Sequence, residues 1–210
     1  MRDLAIYAAS IGNLTDARYF AAWGTQWLGF QMEPGAENYL PPNQVQAMIE
    51  WVDGITPTGE FGLQTAEEIQ TAVQLLNLQA VKLGHFTDLG VLDALGNVQV
   101  LKEWVIGPGT SLQSIYQQAD DLAGRIAYHI LDFTKTGISY SAFSISPDFE
   151  VLEQLCENQA CLLHFAWTSA SLEAALESFQ PAGIVLQGGA EEKVGFKSFD
   201  ELDELLEVVD

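Results

Sequence analysis

Asp132 closes the apolar run of AYHILDF, Glu60 lies in GITPTGEFG, and Lys82 and His85 share VKLGH. His164 ends CLLH, and Gln187 ends GIVLQ. Polar groups at the ends of strand-like runs suit chemistry, because the strand fixes the side chain and the following loop leaves it accessible. Asp132 and Glu60 could serve as acid and base if their surroundings set their proton affinities apart. Lys82 could hold an anion, or form a Schiff base if burial lowered its pKa. The same residues admit a plainer arrangement, with Lys82 paired to Asp132 or Glu60 as a satisfied ion pair. His85, His164 and Asp132 could in principle share a metal, but no spacing motif supports one, so no metal is expected. His129 alternates with Asp132 along its strand and is expected to face the opposite way, toward a helix layer.

The elements that must position these groups alternate. Strand-like runs cover residues 4–9, 26–32, 79–83, 98–106, 126–132, 160–166 and 183–187, with a weaker one near GITPTGEFG. Pro57 and the glycines weaken that third run, because proline is poor inside a central strand. Between the runs, apolar residues recur at helical spacing over Leu14–Trp23, Val45–Val52, Ile69–Leu76, Ser111–Leu122, Phe149–Cys156 and Leu172–Phe179. Asn13 precedes the first helix, Thr65 and Glu68 form a capping-box pattern, and Gly24 and Pro181 stop helices. The closing FDELDELLEVVD puts Leu202, Leu205, Leu206 and Val209 on one face and carboxylates on the rest. Strands alternating with helices imply a parallel sheet. Eight such units over residues 1–210 predict a single-domain (β/α)₈ barrel of the TIM type. The first turn, ASIGNLTD, lacks the Gly-rich fingerprint of a dinucleotide-binding open sheet, and no cofactor is expected.

Eight Lys and Arg against 29 Asp and Glu give a net charge of −21. That balance excludes nucleic acid and anionic membrane surfaces as partners and counts against a phosphorylated ligand. The expected partner is a small molecule at the barrel mouth. Cys156 and Cys161 make neither a disulfide framework nor a zinc set and are expected as reduced core residues. No run is long and apolar enough for a membrane helix and no signal peptide opens the chain, which points to the cytoplasm.

In order along the chain, GNLTDARYFAAWGTQWLGF, PGAENYLPPNQVQAMI, QAVKLGH, AYHILDF, LLHFAWTSASLEAAL and GIVLQGGAEEKVGFKSFDEL resemble segments of the phosphoribosylanthranilate isomerase family of tryptophan biosynthesis. Gly183, Gly189, Glu191, Gly195 and Lys197 hold their places in the last of these. The resemblance implies a barrel, an Amadori rearrangement, a carboxylic acid on the sixth strand, a cysteine base on the first, and a phosphate site in the loops after strands seven and eight. It places Asp132 at the acid and Gly188 and Gly189 in the phosphate loop, and matches Lys102 to a lysine sometimes found on strand five.

The departures fall on the site. Ala9 stands where the family has its cysteine, Tyr7 where it has lysine, Asn38 where it has arginine, and Val185 where it has aspartate. Phe165 and Ala166 stand where a glycine pair admits phosphate, so their side chains are expected to fill that space, with Trp167 helping to close it. A family barrel degenerate for the ancestral rearrangement is expected. The alternatives are an enzyme of changed specificity with Asp132 as acid, and an active isomerase with a relocated base.

Overall fold

The computed structural model describes residues 4–188, 191–193 and 196–209. Eight parallel strands close a barrel in sequence order: β1 (Ala5–Ala9), β2 (Trp27–Gln31), β3 (Thr56–Phe61), β4 (Ala80–Leu83), β5 (Gln99–Val105), β6 (Tyr128–Asp132), β7 (Cys161–His164) and β8 (Gly183–Gln187). β8 meets β1 in continuous register, from Ala5 opposite Gly183 to Ala9 opposite Gln187. Around it lie α1 (Leu14–Ala22), α2 (Pro42–Ile49), α3 (Ala66–Leu76), α4 (Leu112–Asp121), the short α5 (Tyr140–Phe143), α6 (Phe149–Asn158), α7 (Ser169–Phe179) and α8 (Asp200–Val209). The expected (β/α)₈ barrel is therefore present. Its fourth crossover departs from the pattern, since a 3₁₀ turn over Leu89–Ala94 stands where a helix would pack. A short antiparallel pair, β9 (Glu191–Lys193) and β10 (Phe196–Lys197), follows β8.

Local chemistry explains most boundaries. The Asn13 side chain accepts from Asp16 N, and Thr65 and Glu68 complete the capping box that their spacing predicts. α7 is capped by Thr168 through a reciprocal bond with Ser171. Pro57 is tolerated in β3 because of parity. Thr56 N donates toward β2, so position 57 faces β4, which begins only opposite Thr58.

Alternation divides each strand between two cores. Tyr7, Trp27, Ala80, Leu101, Ile130, Leu162 and Val185 fill the barrel, while Ala8, Leu28, Phe30, Val81, Trp104, Leu131 and Phe165 join the helix layer. Trp27 occupies the interior with its edge against Tyr128 and its indole N–H on Gln99, 2.9 Å away. Cys156 and Cys161 are buried free thiols, as expected. Among the described residues no helix is long and apolar enough to cross a membrane.

His129 faces the helix layer, where its Nδ1 accepts from Trp104 Nε1 at 3.1 Å. Burial drives its pKa down from 6.5 to about 4. Between those values the unfolded chain takes up a proton that the folded chain refuses. Stability present at neutral pH is therefore lost as pH falls from about 6.5 toward 4, by up to about 3 kcal/mol. Urea unfolding of wild type and His129→Gln should show their stability difference shrinking by that order over this window. A difference independent of pH would exclude the coupling.

Candidate functional site

The ladders bring complementary groups together at the C-terminal ends of the strands. Glu60 on β3 is the register partner of Lys82 on β4, and Asp132 on β6 that of His164 on β7. Lys82 Nζ lies 3.4 Å from Glu60 Oε2 and 3.3 Å from Glu103 Oε1. Lys135, from the turn after β6, reaches Glu103 Oε2 at 2.5 Å and Asp132 Oδ2 at 3.7 Å. His164 Nδ1 lies 3.2 Å from Asp132 Oδ2. On the other flank Glu60 accepts from Tyr7 Oη at 2.8 Å, Ser10 N at 3.0 Å and Ser10 Oγ at 2.8 Å. One polar chain thus runs from Ser10 and Tyr7 through Glu60, Lys82, Glu103, Lys135 and Asp132 to His164. Above it opens a cavity of about 90 Å³, lined by Ala9, Ser10, Lys82, Glu103, Asp132, Lys135, His164 and Gln187 among others.

The charges on these groups are fixed by their neighbours. Burial alone would raise the pKa of Asp132, but bonds from His164 and Thr134 and the charge of Lys135 outweigh it and hold the carboxyl well below its usual range. Burial opposes ionisation of Glu103 too, and Lys82 and Lys135 overcome it. For Lys82, burial favours the neutral amine, yet Glu60 and Glu103 prevail and push its pKa above the ordinary lysine value. Lys82 is held as an ammonium and is no Schiff-base nucleophile in this setting. The Tyr7 phenol is pushed up by burial and by Glu60, so it stays a donor.

Gly29 on β2 makes room for this network. A Cβ there would stand 2.1 Å from Glu60 Oε1 and 2.4 Å from Tyr7 Oη. Both are anchored, so neither can yield cheaply. Gly29→Ala should cost about 1–3 kcal/mol by overpacking, read as a lower denaturant midpoint. An unchanged midpoint would mean that the Tyr7–Glu60 contact is slack.

The sequence expectations fare unequally. Asp132, Lys82, His164 and Gln187 line the cavity, and Ala9 borders it as a bare methyl. Glu60 joins the ion pair predicted for Lys82, but Asp132 does not; Glu103 takes that place. Glu60 does not fit the role of accessible base, since it is buried beneath Tyr7 and Ser10 with both oxygens engaged. His85 falls past the end of β4 and turns outward, with Nδ1 accepting from Val105 N at 3.0 Å and its ring edge-on to Trp104. Lys102 also turns outward, donating to the carbonyls of Gly84 and His85. Phe165 does not fill the mouth. It is buried in the helix layer, stacked on Phe133 at 4.0 Å, on the opposite side of the backbone from His164. Trp167 donates to the Val185 carbonyl at 3.2 Å, across from β7 to β8. Asn38 is exposed, and Gly188 abuts Asp16 so closely that a Cβ would meet its carboxylate at 2.6 Å. Gly189 and Gly195 lie outside the described residues, as do the side chains of Glu191 and Lys197. Among the described residues no group of three or more His, Cys, Asp or Glu is placed to hold a metal ion. Glu103, Lys135 and Ser10 were not legible as site residues. Strand parity from Leu101 would have found Glu103, whereas Lys135 and Ser10 sit in turns where no periodicity applies.

No family model matches the chain. Two curated sequences align over nearly all of it. The N-(5′-phosphoribosyl)anthranilate isomerase of Maridesulfovibrio salexigens is 24% identical over 202 residues, covering 95% of each chain. That of Gloeothece citriformis is 27% identical over 198 residues, covering 90% of this chain and 86% of its own. Among solved structures, phosphoribosylanthranilate isomerase from Thermus thermophilus superposes with a TM-score of 0.77 at 24% identity, and that from Thermotoga maritima with 0.78 at 17%, each over 98% of both chains. In sequence and in fold alike, this chain is similar to phosphoribosylanthranilate isomerases.

Proposed function

We propose that this is a phosphoribosylanthranilate isomerase-like barrel that no longer catalyses the ancestral Amadori rearrangement and keeps its mouth for another small ligand. The observation that carries this reading is the state of Asp132. Five donors converge on its two oxygens: Thr134 N at 2.8 Å, Thr134 Oγ1 at 2.6 Å, Lys135 N at 3.3 Å, Lys135 Nζ and His164 Nδ1. A general acid must hold a proton to give away, and a carboxylate so surrounded keeps none near neutral pH. The base position is filled by the methyl of Ala9, which accepts no proton. Both ammonium groups that border the cavity, on Lys82 and Lys135, are committed to carboxylates and are poorly placed to attract a phosphate. The same state of Asp132 counts against an enzyme of changed specificity that uses it as acid. Turnover of phosphoribosylanthranilate, followed by the decay of substrate fluorescence, tests the reading. A rate indistinguishable from buffer is expected, and turnover well above it would overturn the proposal.

A further inference from the structure

His164 is 6% exposed and lines the cavity; its Nδ1 faces Asp132, and its Nε2 has no partner among the described residues. Which nitrogen holds the proton follows from the donors around Asp132. An ionised carboxylate only accepts, so Nδ1 must donate to Oδ2, and Nε2 then presents its lone pair to the cavity. The other two histidines are the reverse. His85 Nδ1 accepts from Val105 N and His129 Nδ1 accepts from Trp104 Nε1, so both carry their proton on Nε2. The charged groups around His164 are the carboxylates of Asp132, Glu103 and Glu60 and the ammonium groups of Lys135 and Lys82. Three carboxylates face two ammonium groups, so the mouth carries an excess of negative charge.

We propose that His164 is the proton-accepting group of the mouth, with Asp132 as its positioning residue, and that the ligand is a small hydroxylated molecule without an anionic group. The ligand O–H donates to Nε2. In a full transfer that O–H bond breaks, the proton passes to Nε2, and the electron pair stays on the ligand oxygen. An anionic ligand would instead add to the excess of negative charge, on a chain that already carries −21. The proposal goes beyond loss of the ancestral rearrangement, because the pairing of His164 with Asp132 stands whether or not phosphoribosylanthranilate is turned over.

Long-range ¹H–¹⁵N correlation spectra of the whole protein at neutral pH read the tautomer of each histidine. Two Nε2–H rings, His85 and His129, and one Nδ1–H ring, His164, are expected; an Nε2–H tautomer at His164 would overturn the proposal. Asp132→Asn then separates positioning from packing. Thr134 N and Lys135 N hold the amide oxygen where Oδ1 now stands, so the amide NH₂ faces His164 Nδ1. His164 should switch to the Nε2–H form while the other two rings keep theirs, which also reports that the variant is folded. No switch in the folded variant would remove Asp132 from the role. The wild-type spectrum decides the tautomer by itself if the variant does not fold. Titration with D-ribose should move the His164 Nε2 resonance saturably, and ribose 5-phosphate should bind more weakly. Tighter binding of the phosphate ester, or no response to ribose, would overturn the ligand class.

Discussion

Freshly generated phosphoribosylanthranilate should decay at the buffer rate in the presence of the wild-type protein, and Ala9→Cys should leave that rate unchanged. A positioned acid and a positioned base are each worth about 10² to 10⁴ in rate. The base is absent at Ala9, and Asp132 is spent as an acceptor, so the two losses compound. Restoring a thiol at position 9 addresses only one of them. Asp132 would still be ionised beneath Thr134, Lys135 and His164, with no proton for the sugar ring oxygen. Lys82 and Lys135, committed to carboxylates, are also poorly placed to grip the phosphate, and a substrate held loosely loses rate in the chemical step itself. A large gain from Ala9→Cys alone would show that Asp132 regains its proton when substrate binds, and the proposed loss of function would fall. The double variant Ala9→Cys with His164→Ala is the informative next step. It removes the ring that faces Asp132 Oδ2 and so one of the donors that hold the carboxylate ionised.

The barrel was legible because strand-like runs recur eight times with helical spacing in seven of the intervals, and each observed strand lies within or at the edge of an expected run. The weak third strand shows why composition alone misleads: Pro57 is harmless where its missing N–H would point past the start of β4. The mouth was less legible, for a geometric reason. On a strand, facing is decided by parity, and two adjacent charged residues such as Lys102 and Glu103 leave the parity to be settled by their neighbours. Leu101 faces the interior, so Glu103 does too, and Lys102 is carried outward to cap the carbonyls of Gly84 and His85. Beyond a strand end parity gives no guidance, which is why His85 faces away while Ser10 and Lys135 turn in. Ser10 does so through a left-handed backbone at φ 51°. For a residue with a Cβ that conformation costs about 1–2 kcal/mol, and the two bonds from Ser10 to Glu60 hold it in place.

Glu60→Ala should therefore destabilise the protein by about 3–5 kcal/mol, the cost of breaking a buried charged network by removing one partner. Three consequences contribute. The Tyr7 hydroxyl, fully buried, loses its acceptor. Ser10 N loses its acceptor while its strained backbone loses its anchor. Lys82 keeps only Glu103, which it already shares with Lys135. For a chain of this size each kcal/mol moves Tm by about 2–4 °C, so Tm should fall by about 6–20 °C. Tyr7→Phe in the Glu60→Ala background removes the orphaned hydroxyl and should recover about 1–3 kcal/mol, whereas Tyr7→Phe alone should destabilise. Equal effects of Tyr7→Phe in the two backgrounds would show that Tyr7 and Glu60 are not coupled. A loss below about 1 kcal/mol for Glu60→Ala would place its side chain in the range of exposed ion pairs. Glu60→Gln gives a gentler version of the test. With its amide oxygen in the place of Oε1 it still accepts from Tyr7 Oη and Ser10 N, but its NH₂ then stands in the place of Oε2, against the Ser10 hydroxyl and the Lys82 ammonium. Its cost should therefore lie between those of wild type and alanine, and a cost equal to that of alanine would mean that charge rather than hydrogen bonding holds this end of the network.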